Sequence, residues 1–253
     1  MKHRLSFAVL LAGIAGSALA DETAAVTPYR PSVSTPAQLP AVGQLEYEAG
    51  FLDARGHGER RDSMPVLFKL AFSEQWGVLF GGDAYVSSRD ADGTRARGLG
   101  DTQITLKRAF VIDSATAFGL EFGAKLPTAK DSIGSGKADY TVNTIYSHDI
   151  GKVHMDANAN LTRLGAQEEG ASRNQYGLSA SFSVPVSGQW AATAELSGTR
   201  RAGAERTAQV LLAAAWSPTK RLTIDFGVAH GLTSATPEWS LFSGLVVPLT
   251  QFR

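Results

Sequence analysis

The sequence predicts an all-β fold: an antiparallel up-and-down transmembrane β-barrel of about twelve strands. Three observations carry this. From Gly43 onward apolar and polar residues alternate in segment after segment, and a period of two sends successive side chains to opposite faces of a strand. The segments run to roughly ten residues or more, longer than an ordinary globular strand. At about 3.3 Å per residue and a tilt near 40°, such strands cross the apolar core of a bilayer. Third, short and long connections succeed each other along the chain, as the two rims of an outer-membrane barrel require.

The first element is an export signal. Residues 1–20 read MKHRLSFAVLLAGIAGSALA, with Lys2 and Arg4 before an apolar run and a small-x-small site ending at Ala20. That order marks a secretory signal peptide cut after Ala20. Its apolar run is too short to span a bilayer as a helix, and no later run is longer. A chain that stays in the membrane must then do so as a closed barrel, the only other way to satisfy every backbone group. The whole chain holds 24 basic and 24 acidic residues, and loss of Lys2 and Arg4 leaves the mature part at −2. So even a balance gives nucleic acid no electrostatic footing. Cysteine is absent, so packing and backbone hydrogen bonds hold the fold without disulfides.

Residues 21–42 form a proline-rich arm, DETAAVTPYRPSVSTPAQLPAV. Proline supplies no ladder donor, so the arm is extended and not a strand of the wall. Two readings stay open: a periplasmic tail, or a plug folded into the lumen.

The barrel proper is expected over residues 43–253. Its twelve alternating segments lie near 43–53, 63–72, 75–88, 99–110, 115–127, 138–149, 152–164, 173–185, 188–199, 205–217, 220–231 and 237–249. The hairpin from Gly98 to Thr128 shows the pattern best: Phe118, Leu120, Phe122, Ala124 and Leu126 share one face, Glu121 and Lys125 the other. Lipid is expected on the first face and water on the second. Phe122→Arg is then expected to hinder insertion, and Glu121→Gln to be tolerated by comparison. Short turns fall near Ser73, Asp113, Gly151, Ser187 and Thr219, and longer loops are ARGHGERR, SRDADGTRARG, KDSIGSG, GAQEEGAS, RRAGAE and LTSATP. A secreted sandwich would mix long and short connections at both ends. Trp76, Phe110, Tyr146, Trp190, Trp216 and Trp239 sit near segment ends, where interfacial aromatic girdles belong. The last segment is apolar on both faces in places, which leaves its register open.

The alternate residues then line the lumen. The candidate constriction is Glu48, Lys69, Asp83, Asp101, Lys107, Glu121, Lys125, Asp139, His154, Asp156 and Asn158, with Tyr85, Glu195 and Asp225 also facing inward. Lys69, Asp83, Lys107 and Glu121 lie on four consecutive segments with alternating sign. That is either a cross-strand charge ladder stiffening the wall or a polarised constriction that orients a passing solute. Twelve strands fall between filled eight-strand barrels and open sixteen-strand porins, so an open and a closed lumen are both admissible. Catalysis is not expected. Ser147 and His148 are neighbours pointing to opposite faces, and the shared face of His154, Asp156 and Asn158 shows no serine or cysteine nucleophile beside it. His154 and Asp156 lack the further ligands of a metal site, and no cofactor is implied. Arginines mark the long loops at Arg60-Arg61, Arg95, Arg97 and Arg200-Arg201, which reads either as ordinary solvated loop charge or as guanidiniums placed to meet lipopolysaccharide phosphates at an outer rim.

GLGD at Gly98–Asp101, leading a strand with inward Lys107, resembles a known family. So do LPTA at Leu126–Ala129, the run GSGKADY at Gly134–Tyr140 and the strand HMDANANL. The chain is similar over residues 43–252 to the outer-membrane transporter family named for the MetA pathway of phenol degradation. The resemblance implies an outer-membrane barrel that passes small hydrophobic or aromatic molecules, with no catalytic residues. It also implies a terminal aromatic residue read by the barrel-assembly machinery. That residue is Phe252, although Arg253 follows it. The expected function is a passive channel for such solutes. The alternative is a structural or surface-binding barrel with a closed lumen, acting through its outer loops.

Overall fold

A computed structural model describes residues 24–252; the expected signal peptide and Arg253 lie outside the described residues. The described chain is a closed antiparallel barrel. Its strands are β1 (Gln44–Gly56), β2 (Glu59–Ala71), β3 (Trp76–Arg89), β4 (Arg95–Gly98), β5 (Thr102–Val111), β6 (Thr116–Leu126), β7 (Asp139–Ile150), β8 (Val153–Arg163), β9 (Asn174–Ser187), β10 (Trp190–Arg201), β11 (Thr207–Thr219), β12 (Leu222–Gly231) and β13 (Trp239–Gln251). Twelve of them form the wall. The short β4 pairs only with the outer end of β3. Each wall strand pairs with its sequence neighbour, and β1 pairs with β13 from Gln44↔Gln251 to Arg55↔Trp239, so the wall has no free edge.

The side chains sort by the two-residue period. Phe122 is 46% exposed and Glu121 8%, so the apolar stripe is the outer surface of the wall. Phe51, Phe80, Leu178, Phe182, Leu212, Phe226 and Leu241 are exposed in the same sense. Lys69 and Lys107 are fully buried. A soluble core would invert that order, because buried charge is costly and apolar surface is what water expels.

All four irregularities in strand register fall beside a proline: Pro65 in β2, Pro185 in β9, Pro218 in β11 and Pro248 in β13. A proline has no N–H for the ladder, so the pairing skips there. The skip at Pro65 corrects one sequence expectation. It sets Val86 opposite Ser63; Val86 is fully buried and Tyr85 is 40% exposed, so Tyr85 leaves the lumen.

One expected loop is also corrected. ARGHGERR is not a long connection, because β1 and β2 run through it to a tight turn at His57-Gly58, with φ of 54° and 82°. Two left-handed residues in succession make the turn that matches strand twist. At the other rim, turns such as Asp113–Ala115 are short, and Ala115 N–H donates to the Asp113 carboxylate at 2.8 Å. That bond holds the Asp113 carboxyl below its ordinary value. Trp190 and Trp216 stack at 6.2 Å on the periplasmic rim, and Phe118 meets Tyr146 at 5.0 Å. Trp239 packs on His230 at the outer rim, with ring centroids 4.4 Å apart.

Candidate functional site: the occupied lumen

The arm enters the barrel. Val26 N–H donates to the Lys220 carbonyl at the periplasmic rim, the chain rises to Val33, and it returns to Gly43, whose N–H donates to the Ala71 carbonyl. The periplasmic-tail reading is therefore set aside for residues 24–42. Their four prolines, Pro28, Pro31, Pro36 and Pro40, keep the segment out of the ladder. Its remaining N–H groups still need acceptors, because a buried unpaired amide is costly. The wall supplies them. Thr27 N–H reaches Glu46 at 3.1 Å, Tyr29 N–H Glu48 at 2.8 Å, and Ser34 N–H Glu195 at 2.8 Å. Thr35 N–H reaches Asn158 at 3.1 Å, and Ala37 N–H the Ser147 hydroxyl at 2.8 Å.

The wall also donates to the arm. Lys69 Nζ reaches the Thr27 carbonyl, Lys107 Nζ the Pro36 carbonyl at 2.5 Å, and Asn158 Nδ2 the Thr35 carbonyl at 2.9 Å. The Tyr29 ring lies between the two ammonium groups, 4.3 Å from Lys69 Nζ and 4.2 Å from Lys107 Nζ. Its hydroxyl donates back to the Gln38 carbonyl at 2.8 Å, tying the rising and returning limbs together. Arg30, the arm's cation, forks onto Asp225 at 3.0 and 3.1 Å. Gly50 and Gly244, paired across β1 and β13, make room for it. A Cβ at either would lie 2.6 Å from Arg30 Cζ.

The expected constriction residues fall at three heights. Glu48, Lys69, Lys107, Glu121, Asp156 and Asn158 surround the arm. Lys69 sits between Glu46 at 2.9 Å and Glu48 at 2.6 Å. A belt runs from Lys107 to Glu121 at 2.9 Å, from Glu121 to Asn143 at 2.9 Å, and from Asn143 to Asn158 at 3.0 Å. The ladder expected through Lys69 and Asp83 does not form: Lys69 stands opposite Leu79, and Asp83 opposite Pro65. Asp83 instead meets Arg61 at 3.2 Å.

Asp83, Asp101, Lys125 and Asp139 lie toward the outer mouth. Lys125 bridges Asp101 at 3.1 Å and Asp139 at 3.0 Å. The same carboxylates hold outer loops, since Asp101 accepts Ala129 N–H at 3.0 Å and Asp139 accepts Gly165 N–H at 2.8 Å. His154 sits near the periplasmic rim between Asp149 at 2.5 Å and Asp156 at 3.2 Å.

Sequence reasoning missed Ser147, which donates to Asp156. The inward parity of both residues and the register Ser147↔Asp156 were the signal that could have found it. The order is Ser147–Asp156–His154, with the carboxylate in the middle. A nucleophilic serine needs the imidazole next to its hydroxyl, so this geometry organises the wall and the Ala37 amide. The arm partners Glu46, Asn143, Glu195 and Asp225 gave no stronger signal than their inward parity.

Two spaces lie toward the outer mouth. A space of about 320 Å³ lies over Asp83, Gln103 and Lys125. A vestibule of about 600 Å³ is lined by Arg55, Arg60, Arg61, Arg89 and Thr236. The arginines expected in loops sit instead at strand ends, Arg60 and Arg61 in β2, Arg95 and Arg97 in β4, Arg200 and Arg201 in β10, because the strands run on past the expected segments. Arg60 is already paired with Asp53 and Asp62, both within 2.9 Å, and Arg201 with Glu168 at 2.6 Å.

A closed wall with apolar residues outside and charge inside defines the class: an outer-membrane β-barrel protein. The chain belongs to the family described as "Putative MetA-pathway of phenol degradation", whose model matches residues 65–248. No curated protein matches it. Among solved structures it shares its fold with the KdgM porin, at 11% identity and TM-score 0.54, over 82% of this chain and 99% of that one. The KdgM porin in complex with disordered oligogalacturonate matches at 10% identity, also with TM-score 0.54 and the same coverage.

Proposed function

We propose that the chain is a channel for small hydrophobic or aromatic solutes across the outer membrane, with its own arm as the periplasmic stopper. The observation that carries this reading is the lumen: open to the outer side through a vestibule of about 600 Å³, and filled below by residues 26–41. Between Thr27 and Gln38 the arm is held to the wall by hydrogen bonds and an ion pair that each use a side chain, not by strand pairing, so that stretch can leave without unzipping the wall. Family membership and the barrel fold support a transport role; the solute class rests on the family resemblance. The membrane lipid, the assembly machinery that reads Phe252, and lipopolysaccharide phosphates at the arginine-bearing rim are the proposed partners.

The test is planar-bilayer conductance and liposome swelling for the full mature chain and for a variant lacking residues 24–42. The expected result is low conductance for the first and a several-fold rise for the second. An inserted, arm-less barrel with no conductance overturns the channel reading. A second reading, a shut barrel acting through its outer loops, draws on the Asp101–Lys125–Asp139 bridge that fixes two of them. It requires loop trimming, and not lumen substitution, to abolish the phenotype.

A further inference from the structure

We propose that Glu195 and Asp225 form a binding path for a small guanidinium- or ammonium-type cation, and that the Arg30 side chain occupies one step of it while the arm is seated. The proposal rests on the channel reading and deepens it: once the arm leaves, the lumen holds solutes that carry a positive charge and turns anions back. The seat of Arg30 is shaped for a guanidinium. Nε and Nη2 fork onto the two Asp225 oxygens at 3.0 and 3.1 Å, and Nη2 also donates to the Ser243 carbonyl at 3.2 Å. Asp225 is fully buried and has no other ion partner among the described residues. Gly50 and Gly244, without Cβ atoms, leave the space that the planar group fills. A planar fork matched to a carboxylate is recognised by shape as well as by charge.

The wall around the arm carries more negative charge than its own cations answer. Glu46, Glu48, Glu121, Asp156, Glu195 and Asp225 are buried there against Lys69 and Lys107, and Arg30 is the one charged residue of positions 24–42. The two lysines pair with Glu46, Glu48 and Glu121. Asp156 has the Ser147 hydroxyl and His154, a ring it shares with Asp149. Glu195 and Asp225 have no cation of the wall beside them among the described residues. Glu195 is 3% exposed; its Oε2 accepts the Ser34 N–H at 2.8 Å, and its Oε1 has no hydrogen-bond partner among the described residues. The arm that covers Glu195 therefore satisfies one of its two oxygens, and a buried oxygen left without a donor is costly. Glu195 stands opposite Leu211 and Asp225 opposite Ala215, four residues apart along β11, or about 13 Å. Departure of the arm uncovers these two carboxylates on the same side of the lumen. Unanswered carboxylates in a low-dielectric wall concentrate cations and raise the barrier to anions.

Chemical rescue of the full mature Arg30→Ala chain tests this. The alanine keeps Cβ, so N-ethylguanidinium supplies the part of the side chain that is lost. At millimolar concentration it is expected to restore the arm's resistance to limited proteolysis several-fold, while neutral N-ethylurea, of nearly the same shape, leaves it unchanged. Asp225→Asn in the same chain should remove the rescue. Reversal potentials across a KCl gradient, read on the arm-less barrel of the conductance test, are expected to favour potassium over chloride several-fold. Glu195→Gln together with Asp225→Asn should bring that preference close to nothing. Heat-modifiable electrophoretic mobility reports whether each barrel is folded. An Arg30→Ala arm as resistant as the original, no rescue, equal rescue by N-ethylurea, rescue that survives Asp225→Asn, or currents without potassium preference each overturn the proposal. Rescue alongside a folded arm-less barrel that never conducts would overturn the channel reading and leave the cation seat standing; conductance with neither rescue nor potassium preference would do the reverse.

Discussion

Lys69 shows how much one inward side chain holds. It is fully buried between Glu46 and Glu48, donates to the arm at Thr27, and lies over the Tyr29 ring. Breaking a buried pair from one side leaves uncompensated charge, at a cost of about 3–5 kcal/mol. Lys69→Ala is therefore expected to lower unfolding stability in urea by roughly that amount, and an unchanged midpoint would contradict the burial. Arg30 gives a cleaner test of the arm, because its fork to Asp225 crosses from arm to wall. Arg30→Ala should make the arm sensitive to limited proteolysis while the barrel stays resistant. Gly244→Val should reproduce that sensitivity with Arg30 intact, because the new side chain takes the place of the guanidinium. A Gly244→Val arm as protected as the original would refute the close-approach account.

Faces and turns are decided at the scale of the strand. Phe122→Arg places a cation on the lipid side of β6 and is expected to cost about 2–4 kcal/mol if near the midplane, read as a lower refolded fraction in lipid vesicles. Glu121→Gln, mild on the sequence alone, takes a different standing from the structure. Glu121 is the carboxylate that Lys107 meets and a partner of Asn143. The substitution should leave insertion normal but loosen the arm, shown by faster proteolysis between Thr27 and Gln38. Damage to insertion equal to that of Phe122→Arg would contradict the assignment of faces. Strand positions were legible because alternation is local. Tyr85 was misplaced because parity was carried straight through β3, while the donorless Pro65 across the ladder shifted the pairing.

For the whole molecule, closure of β1 on β13 makes a lumen, and the arm enters it. The polar residues were legible as one inward set but not by their heights. Height in the barrel depends on strand register, which a list of inward residues omits. Glu195 and Asp225 lie 161 and 195 residues beyond their arm partners Ser34 and Arg30, separations over which no local pattern operates. Mature protein should stay monodisperse only with detergent; a monodisperse sample in plain buffer by light scattering would overturn the lipid-facing assignment of the apolar stripe.

Alternation, turn residues and prolines belong to the chain itself. They determined that this is a twelve-stranded antiparallel wall with one apolar and one polar face, because strand period and loss of a ladder donor act over neighbouring residues. Whether residues 24–42 hang in the periplasm or enter the barrel was decided by tertiary structure. Only the closed wall gathers Glu46, Glu48, Asn158, Glu195 and Asp225 around one axis, where the donors of an extended, proline-broken segment find the acceptors they lack.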